Sequence, residues 1–317
     1  MLIRPKRLHP GDTVALVAPA SAPADPKATD RAVAAVEALG FKVQLGRHAR
    51  RRLGFLAGND RERAADLMRA FTDRKVHGIL CVRGGYGSSR LLPLLDFKAI
   101  QTNPKVFAGY SDITSLHCAL LTQCGLISFH SPMAASDFAE KDYPKFSCDS
   151  FLRVVTEPKP YGSIRRGYRK NTVVNLRPGK ATGELVGGNI TLLEATIGTR
   201  HQPSFRGKIL FFEDLGEKPY QLDRILTHLL NAGLLQQVAG VAVGICADCI
   251  DPRAKETREY RQTLEDVLRD RLLPLNVPVV MGLPFGHVPH NATLPVGGRA
   301  VLDANKGDLI LTSSAVS

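Results

Sequence analysis

The amino-acid sequence predicts an α/β fold: a doubly wound parallel sheet in an N-terminal domain, followed by a smaller mixed α/β C-terminal domain. Two observations support this prediction. Short apolar runs alternate with amphipathic stretches along the first half of the chain, as expected for repeated strand–helix units. The 317 residues are 44% hydrophobic and 23% charged, which is the balance of a globular protein large enough for two domains.

The N-terminal half contains predicted strands separated by helical patterns. Because parallel neighbours need a crossover connection, this alternation favours a parallel sheet. A glycine-rich break, Gly84 to Gly87, follows the third strand. Strands are predicted at 13–18, 42–45, 79–82, 106–109 and 126–130, and helices at 30–39, from an Asn59 or Asp60 cap through Phe71, and at 114–123.

A change of pattern separates the two predicted domains. Prolines, glycines and a basic cluster concentrate between Phe151 and Gly183, which is typical of an interdomain connection. We therefore expect an N-terminal domain at 1–150, a connection at 151–182 and a C-terminal domain at 183–317. In the second domain, strands are predicted at 208–212, 238–245, 277–281, 300–302 and 309–312, and helices at 220–235 and 260–272.

The charge balance is strongly basic, with a net charge of +12 and an isoelectric point near 9.6. Clustered Lys and Arg side chains can neutralise nucleic-acid phosphates. In this chain the positive residues are spread along the sequence, so we expect a solvated basic surface and no nucleic-acid partner. Such a surface would also attract anionic substrates.

Six cysteines are present, and most lie inside apolar runs, where a free thiol packs as a small hydrophobic group. Cys246 and Cys249 form a single C-x-x-C pair, for which a metal or redox role is the alternative. A second pair and a histidine at zinc-site spacing are missing from the sequence. We expect a core or loop pair, no metal, no cofactor, and reduced thiols as in a cytoplasmic protein.

The N-terminus superficially resembles a secretion signal, because Arg4, Lys6 and Arg7 precede an apolar run at 14–20. That run is only about seven residues, the low end for a signal core. A first β-strand explains it better. No stretch approaches the roughly 20 apolar residues of a membrane span, so we expect a cytoplasmic protein without a membrane partner.

Ser111 is a candidate nucleophile because of where it falls in the predicted sheet. The buried strand 106–109 ends just before it, and a predicted helix starts soon after it. Ligands gather beyond the carboxyl ends of such strands, where free helix N–H groups can stabilise negative charge. This resembles a nucleophile elbow, although GYSDIT lacks the second glycine of G-x-S-x-G. A helix N-cap is the alternative role.

Four histidines are candidates for the base that a serine hydroxyl needs. His287 lies on a Gly/Pro-rich loop beyond a predicted strand, and His290 is three residues further on. His117 and His130 are closer to the serine in sequence. The spacing of these residues leaves the choice open.

The base in turn needs an orienting acid. Glu213 follows the apolar run 209–212 and therefore stands at the carboxyl end of a strand, which favours it over a solvated loop position. Asp214 and Glu217 are close competitors. The glycines of the turn 83–87 (RGGYG) would let backbone N–H groups approach a reacting oxygen, and the turn lacks dinucleotide-binding spacing.

Eight short motifs follow one another over nearly the whole chain: VAPAS (17–21), FLAGNDRERAADL (55–67), RGGYG (83–87), GYSDIT (109–114), GGN (187–189), FFED-x-x-E-x-x-Y-x-x-DR (211–224), GLPFGH (282–287) and LPVG (294–297). In this order they resemble the serine LD-carboxypeptidases, the group that includes the microcin-immunity peptidases. One departure is visible, because residues 130–133 are HSPM where the family pattern is H-G-P-M.

Carried over position by position, the resemblance implies a catalytic triad of Ser111, Glu213 and His287. The family's oxyanion donors correspond to the backbone N–H groups of Asp112 and Gly85. A carboxypeptidase must also bind a free C-terminal carboxylate. The guanidinium of Arg83 is a candidate for this, and a structural role in its turn is the alternative.

The resemblance also implies a reaction: hydrolysis of the amide bond between an L-configured centre and a terminal D-amino acid. The example is release of D-alanine from murein tetrapeptide in cytoplasmic peptidoglycan recycling. It implies a two-domain fold with the active site in the interdomain cleft, and a homodimer. The alternatives are a microcin-immunity-type peptidase acting on an aminoacyl-nucleotide conjugate and a non-catalytic protein that binds a small ligand.

Overall fold

Two β-sheets organise the chain in the computed structural model, which describes residues 2–170, 172–252 and 262–317. The strands are β1 (Thr13–Val17), β2 (Lys42–Leu45), β3 (Gly78–Cys81), β4 (Val106–Gly109), β5 (Ser128–His130), β6 (Gly162–Ser163), β7 (Val174–Arg177), β8 (Lys180–Asn189), β9 (Ile209–Glu213), β10 (Gly240–Val243), β11 (Val279–Met281), β12 (Leu294–Val296), β13 (Arg299–Asp303) and β14 (Asp308–Leu311). The α-helices are α1 (Ala28–Ala38), α2 (Asp60–Thr72), α3 (Phe97–Thr102), α4 (Thr114–Ala119), α5 (Lys145–Thr156), α6 (Ile190–Glu194), α7 (Pro219–Asn231) and α8 (Leu264–Leu272).

The first sheet has six strands in the order β12-β5-β4-β3-β1-β2. Strands β1 to β5 pair in parallel, which confirms the predicted doubly wound sheet. Strands β3 and β4 are buried at every residue, because helices cover both faces of a parallel sheet. The sequence did not predict β12, a short antiparallel edge strand contributed by the C-terminal part of the chain.

Local sequence signals explain several element boundaries in this sheet. The Asn59 side chain accepts from the N–H of Glu62, whose carboxylate accepts from the N–H of Asn59, so α2 begins with a capping box. Inside the sheet region, the rings of Phe71 and Phe107 stack with centroids 6.0 Å apart. The predicted helix 114–123 is α4 continued by a wider π-helical turn through Cys124.

The second sheet has eight strands in the order β6-β14-β13-β8-β9-β10-β11-β7. Its centre, β8 to β11, is parallel, and the flanking strands are antiparallel, so the mixed α/β character is confirmed. Strands β13 and β14 form the predicted terminal hairpin. Part of the predicted helix 260–272 forms α8, and residues 260 and 261 lie outside the described residues.

The predicted connection 151–182 contains regular structure that the sequence did not indicate. It holds the second half of α5, all of β6 and β7, and the start of β8. The domain boundaries themselves stay a prediction. No helix among the described residues is long and apolar enough to cross a membrane.

The two sheets meet close to the end of β4. The backbone N–H of Asn189, at the end of β8, donates to Oγ1 of Thr114 at 3.0 Å. A Cβ at Gly188 would lie 2.5 Å from the same oxygen, so only glycine allows this approach. The contact joins the GGN motif to the segment that follows Ser111.

Candidate active site

Ser111 stands on a sharp turn between β4 and a short 3₁₀-helix, Ser111–Ile113, that leads into α4. Its backbone φ is +64°, in the left-handed region that non-glycine residues seldom adopt. A strained serine between a strand and a helix is the geometry of a nucleophile elbow, and it lifts the hydroxyl above the carboxyl end of the sheet.

The turn RGGYG packs directly against this serine. A Cβ at Gly84 would lie 2.9 Å from Cβ of Ser111. The side chain of Asp112 accepts hydrogen bonds from the N–H of Gly87 at 3.2 Å and of Ser88 at 2.8 Å. The carboxylate of Asp112 is therefore used to join the elbow to the turn, which leaves its backbone N–H as the group available for chemistry.

The two predicted oxyanion donors lie on these two packed segments. Gly85 has a φ of +101°, and its N–H forms no hydrogen bond within the described parts of the chain. Asp112 is in the first turn of the 3₁₀-helix, where backbone N–H groups lack partners within the helix. The Arg83 guanidinium donates from Nη1 to the Ala22 carbonyl at 2.8 Å, which is the contact expected of its structural alternative.

Glu213 and His287 complete a continuous hydrogen-bond chain with Ser111. Nδ1–H of His287 donates to Oε2 of Glu213 at 2.6 Å, and the hydroxyl of Ser111 donates to Nε2 of His287 at 3.0 Å. Glu213 is the last residue of β9 and is fully buried. The sheets thus bring together residues that are 176 and 74 positions apart. This arrangement is what base activation of a serine requires.

The electrostatic surroundings favour the charged form of His287. Burial alone would lower its pKa, but the charge and hydrogen bond of Glu213 and the charges of Asp214 and Asp137 raise the pKa above its ordinary value of 6.5. The remaining oxygen of Glu213, Oε1, is buried and has no hydrogen-bond partner among the described residues.

The three other candidate histidines are engaged elsewhere. His117 donates from Nε2 to the carbonyl of Gly109 and accepts from Ser128, and burial lowers its pKa to about 4. His130 packs against aromatic rings, and burial holds its pKa well below 6.5. His290 packs on the rings of two aromatic residues, Phe146 and Tyr168.

The two rival acids also have different surroundings. Asp214 accepts hydrogen bonds from the Asn189 side-chain amide at 2.8 Å and from the Thr191 hydroxyl at 2.7 Å, so it anchors the start of α6. Burial, followed by the charge of Asp214, raises the pKa of Glu217. Of these three acids, only Glu213 hydrogen-bonds to His287.

Tyr110 and Asp137 are site residues that the sequence did not predict. The Tyr110 ring lies with its centroid 4.8 Å from that of His287, and its hydroxyl donates to Oδ1 of Asp137 at 3.2 Å. Burial raises the pKa of Asp137 to about 6, against hydrogen bonds from Met133 and Ser136 that lower it. Tyr110 adjoins Ser111 in the GYSDIT motif, but no local pattern marks Asp137.

A cavity of about 520 Å³ opens beside the imidazole. It is large enough for a short peptide segment. Its lining includes Tyr110, Asp137, Tyr143, Leu215, His287 and Pro289. No group of three or more His, Cys, Asp or Glu side chains in the described portion of the chain could hold a metal ion.

Comparison with known families agrees with this architecture. Residues 14–131 match the LD-carboxypeptidase N-terminal domain, and residues 182–302 match the LD-carboxypeptidase C-terminal domain. The fold and these matches define a two-domain α/β peptidase. The chain belongs to the LD-carboxypeptidase family.

Individual relatives cover almost the whole chain. It is 40% identical to a probable murein peptide carboxypeptidase of Bacillus subtilis, over 95% of this chain and 91% of that protein. It is 32% identical to the murein tetrapeptide carboxypeptidase of Pseudomonas aeruginosa, over 92% and 94%.

Solved structures show the same fold. The structure of MccF in complex with glutamyl sulfamoyl guanosine superimposes with a TM-score of 0.86 at 27% identity, covering 99% of each chain. The muramoyltetrapeptide carboxypeptidase of Oxalobacter formigenes superimposes with a TM-score of 0.80 at 32% identity, covering 94% of this chain and 97% of the other.

Proposed function

We propose that this peptidase is a serine LD-carboxypeptidase that releases terminal D-alanine from murein tetrapeptide, with Ser111, His287 and Glu213 as its triad. The observation that carries the proposal is the unbroken hydrogen-bond chain from the serine hydroxyl through the imidazole to a buried carboxylate. The substrate class is supported by its relatives, which are named as carboxypeptidases of murein peptides, murein tetrapeptide and muramoyltetrapeptide.

Acylation begins when the hydroxyl of Ser111 attacks the scissile carbonyl and its proton passes to Nε2 of His287. The carboxylate of Glu213 keeps the imidazole in the tautomer that can accept this proton, and its negative charge stabilises the imidazolium. The Tyr110 ring and the charge of Asp137 lie close to the same imidazolium. Together these groups stabilise the positive charge that develops in the transition state.

The carbonyl oxygen becomes an oxyanion in the same step. The backbone N–H groups of Gly85 and Asp112 lie on segments that pack on Ser111, and they stabilise this oxygen. Each donor contributes about 2.7–4 kcal/mol in a comparable enzyme. His287 then protonates the leaving D-amino acid, and a water molecule hydrolyses the acyl-enzyme by the same base.

The substrate carboxylate requires a positive group near the serine. Arg83 adjoins the turn that packs on Ser111, and only one of its N–H groups is used by the Ala22 carbonyl. We propose that the remaining N–H groups bind the C-terminal carboxylate. We also propose that the protein acts in the cytoplasm and as a homodimer, as the family resemblance implies.

The function is tested with tetrapeptides that differ at the third residue, with released D-alanine as the readout and Ser111→Ala as the control. At least one tetrapeptide is expected to release D-alanine with the unmodified protein, and none with the variant. Failure of every tetrapeptide would contradict the proposed reaction, and release by the variant would contradict the proposed nucleophile.

A second candidate function is a microcin-immunity-type peptidase, which the similarity to MccF structures favours. One of those structures contains aspartyl sulfamoyl adenosine, with a TM-score of 0.86 and 27% identity. The chain has no Trp and only 6% aromatic residues, so a large aromatic surface for a nucleobase is scarce. Cleavage of an aminoacyl-nucleotide conjugate in preference to every tetrapeptide would favour this second function.

A third alternative is a non-catalytic protein that binds a small ligand. It predicts that a serine-directed acylating reagent leaves Ser111 unlabelled, whereas the proposed triad predicts a covalent adduct on that residue.

A further inference from the structure

The C-x-x-C pair lies between the two chain segments that carry the acid and the base. On one side, the N–H of Ile245 donates to the Phe285 carbonyl at 2.9 Å, two residues before His287. On the other side, the N–H of Ala247 donates to the Asp214 carbonyl at 2.9 Å. Cys246 therefore occupies the one position between these two contacts.

The two thiols are close to each other and to the loop that follows Glu213. Cys246 and Cys249 are free, and their sulfurs are within hydrogen-bonding reach of each other. The thiol of Cys249 also donates to the Ala247 carbonyl at 3.4 Å. The Gly216 N–H donates to the same Ala247 carbonyl at 2.8 Å, and hydrogen bonding from the backbone N–H of Glu217 favours the Cys249 thiolate.

These features separate Cys249 from the isolated cysteines. The hydrogen bond from Cys246 is the largest cause that lowers the pKa of Cys249. Burial raises the pKa of the other thiols outside the pair: Cys81, Cys118, Cys124 and Cys148. Cys249 is 6% exposed, whereas Cys246 is partly exposed and the adjoining Ile250 is 63% exposed, so the pair lies near the surface.

We propose that Cys246 and Cys249 form a modification site, at which a low-molecular-weight disulfide converts the pair into an internal disulfide and lowers peptidase activity. The Cys249 thiolate attacks one sulfur of the small disulfide, which forms a mixed disulfide and releases one thiolate. The Cys246 thiol then loses its proton and attacks the Cys249 sulfur, which releases the second thiol. The protein pair is oxidised and the small disulfide is reduced. The effect on activity rests on the proposed triad.

The expected effect follows from the position of the pair. A disulfide requires Cβ atoms about 3.5–4.5 Å apart and a fixed dihedral angle. Asp248, between the cysteines, already has a φ of +54°, so the short loop has little freedom to meet that requirement unless neighbouring contacts change. The contacts of Ala247 with Asp214 and Gly216 are the nearest ones. Loss of these Ala247 contacts would shift Glu213 relative to His287. Because small misplacements of catalytic groups have effects of this size, we expect kcat/KM to fall about 10- to 100-fold.

The test uses the full chain, reduced and then exposed to oxidised glutathione. Intact mass and peptide mapping report the disulfide, and D-alanine release reports activity before oxidation, after it, and after dithiothreitol. The proposal predicts loss of two hydrogen atoms, a Cys246–Cys249 cross-link, and lower activity that dithiothreitol restores. Cys249→Ser is expected to stay active and insensitive to the oxidant. The matched control Cys148→Ser, at a partly exposed cysteine outside the pair, is expected to respond like the unmodified protein.

The proposal would be overturned if the oxidant left a stable glutathione adduct or unreacted thiols in place of the cross-link. It would also be overturned if the cross-linked protein kept its full activity. The mass measurement needs no substrate. It therefore decides whether the modification site exists even when no tetrapeptide is cleaved, a result that would contradict the proposed function instead.

Discussion

The segment that carries the nucleophile and the segments that carry its acid and base are held in place by different interactions. Ser111 is positioned by backbone geometry, with a φ of +64° and a glycine so close that one added carbon would lie 2.9 Å from its Cβ. Glu213 and His287 are positioned by charge and hydrogen bonding, with a 2.6 Å contact in a buried environment.

This difference predicts two kinds of failure. Around the serine, a change of shape should reduce the rate without altering its pH dependence, because no ionisable group there sets the protonation state of the base. Around the acid and base, a change of charge at constant shape should alter both the rate and the pH at which activity appears. Variants at the two places therefore differ in their pH profiles as well as in their rates.

The largest effect is expected from Ser111→Ala. It removes the nucleophile, and kcat should fall by about 10⁴-fold or more. Circular dichroism and the melting temperature should stay close to those of the unmodified protein, because the hydroxyl is the only group lost. Retained turnover at more than a small fraction of the original rate would contradict the assignment of this residue.

A slightly smaller effect is expected from Glu213→Gln. The amide keeps the shape but removes the charge that favours the imidazolium, and kcat should fall about 10³- to 10⁴-fold. Because Glu213 raises the pKa of His287, its loss should lower that pKa and move the acidic limb of kcat/KM to lower pH. A pH profile from about 5 to 9, which spans the ordinary histidine pKa, measures both the fall in kcat and the shift of the acidic limb. An unchanged acidic limb would show that another group sets it.

Gly84→Ala tests the shape-dependent side of the comparison. The added methyl group would lie 2.9 Å from Cβ of Ser111, so we expect kcat to fall about 10- to 100-fold with an unchanged acidic limb. Gly78→Ala is the matched control, since its methyl group meets only the flexible end of Leu8, with the nearest atom at 3.1 Å. Equal losses of activity in both variants would indicate general destabilisation of the sheet.

The smallest effect is expected from Asp137→Asn. Its charge is one of the weaker influences that raise the pKa of His287, so the acidic limb should move slightly to lower pH and the plateau should fall only a few-fold. Tyr110→Phe is the matched variant, because it keeps the ring beside the imidazole and loses only the hydroxyl that contacts Asp137. Its acidic limb should move less. A larger shift of the acidic limb in Tyr110→Phe than in Asp137→Asn would indicate that the Tyr110 hydroxyl, and not the charge of Asp137, raises the pKa of His287.

The sequence predicted much of the parallel sheet, and the reasons are local. Strands β2 and β4 have their predicted bounds: β2 alternates polar and apolar residues just before Gly46, and β4 is a short apolar run that ends at Gly109. Strand β12 was missed, since three residues within a Pro- and Gly-rich segment carry no pattern and become a strand only by pairing with β5. Helix α5 was missed because it lies at the edge of the segment predicted as a connection.

The site was predictable to a similar degree. The position of Ser111 at the end of a buried strand follows from sequence. The choice among four histidines does not, because His117 and His130 are closer in sequence but are buried in other contacts. The hydrogen bonds of His117 form within the first sheet, whereas the contacts of His130 with Phe211 and Phe285 form where the two sheets pack. Asp137 could not be found from sequence, since no local pattern marks it, and folding alone brings it to the Tyr110 hydroxyl and close enough to raise the pKa of His287.

The most direct test of the proposed triad is covalent labelling with a serine-directed acylating reagent, followed by peptide mapping. We predict one adduct, on Ser111, formed rapidly in the unmodified protein and very slowly in His287→Ala and Glu213→Gln. Labelling of a different serine, or equal labelling rates in all three proteins, would contradict the proposed triad.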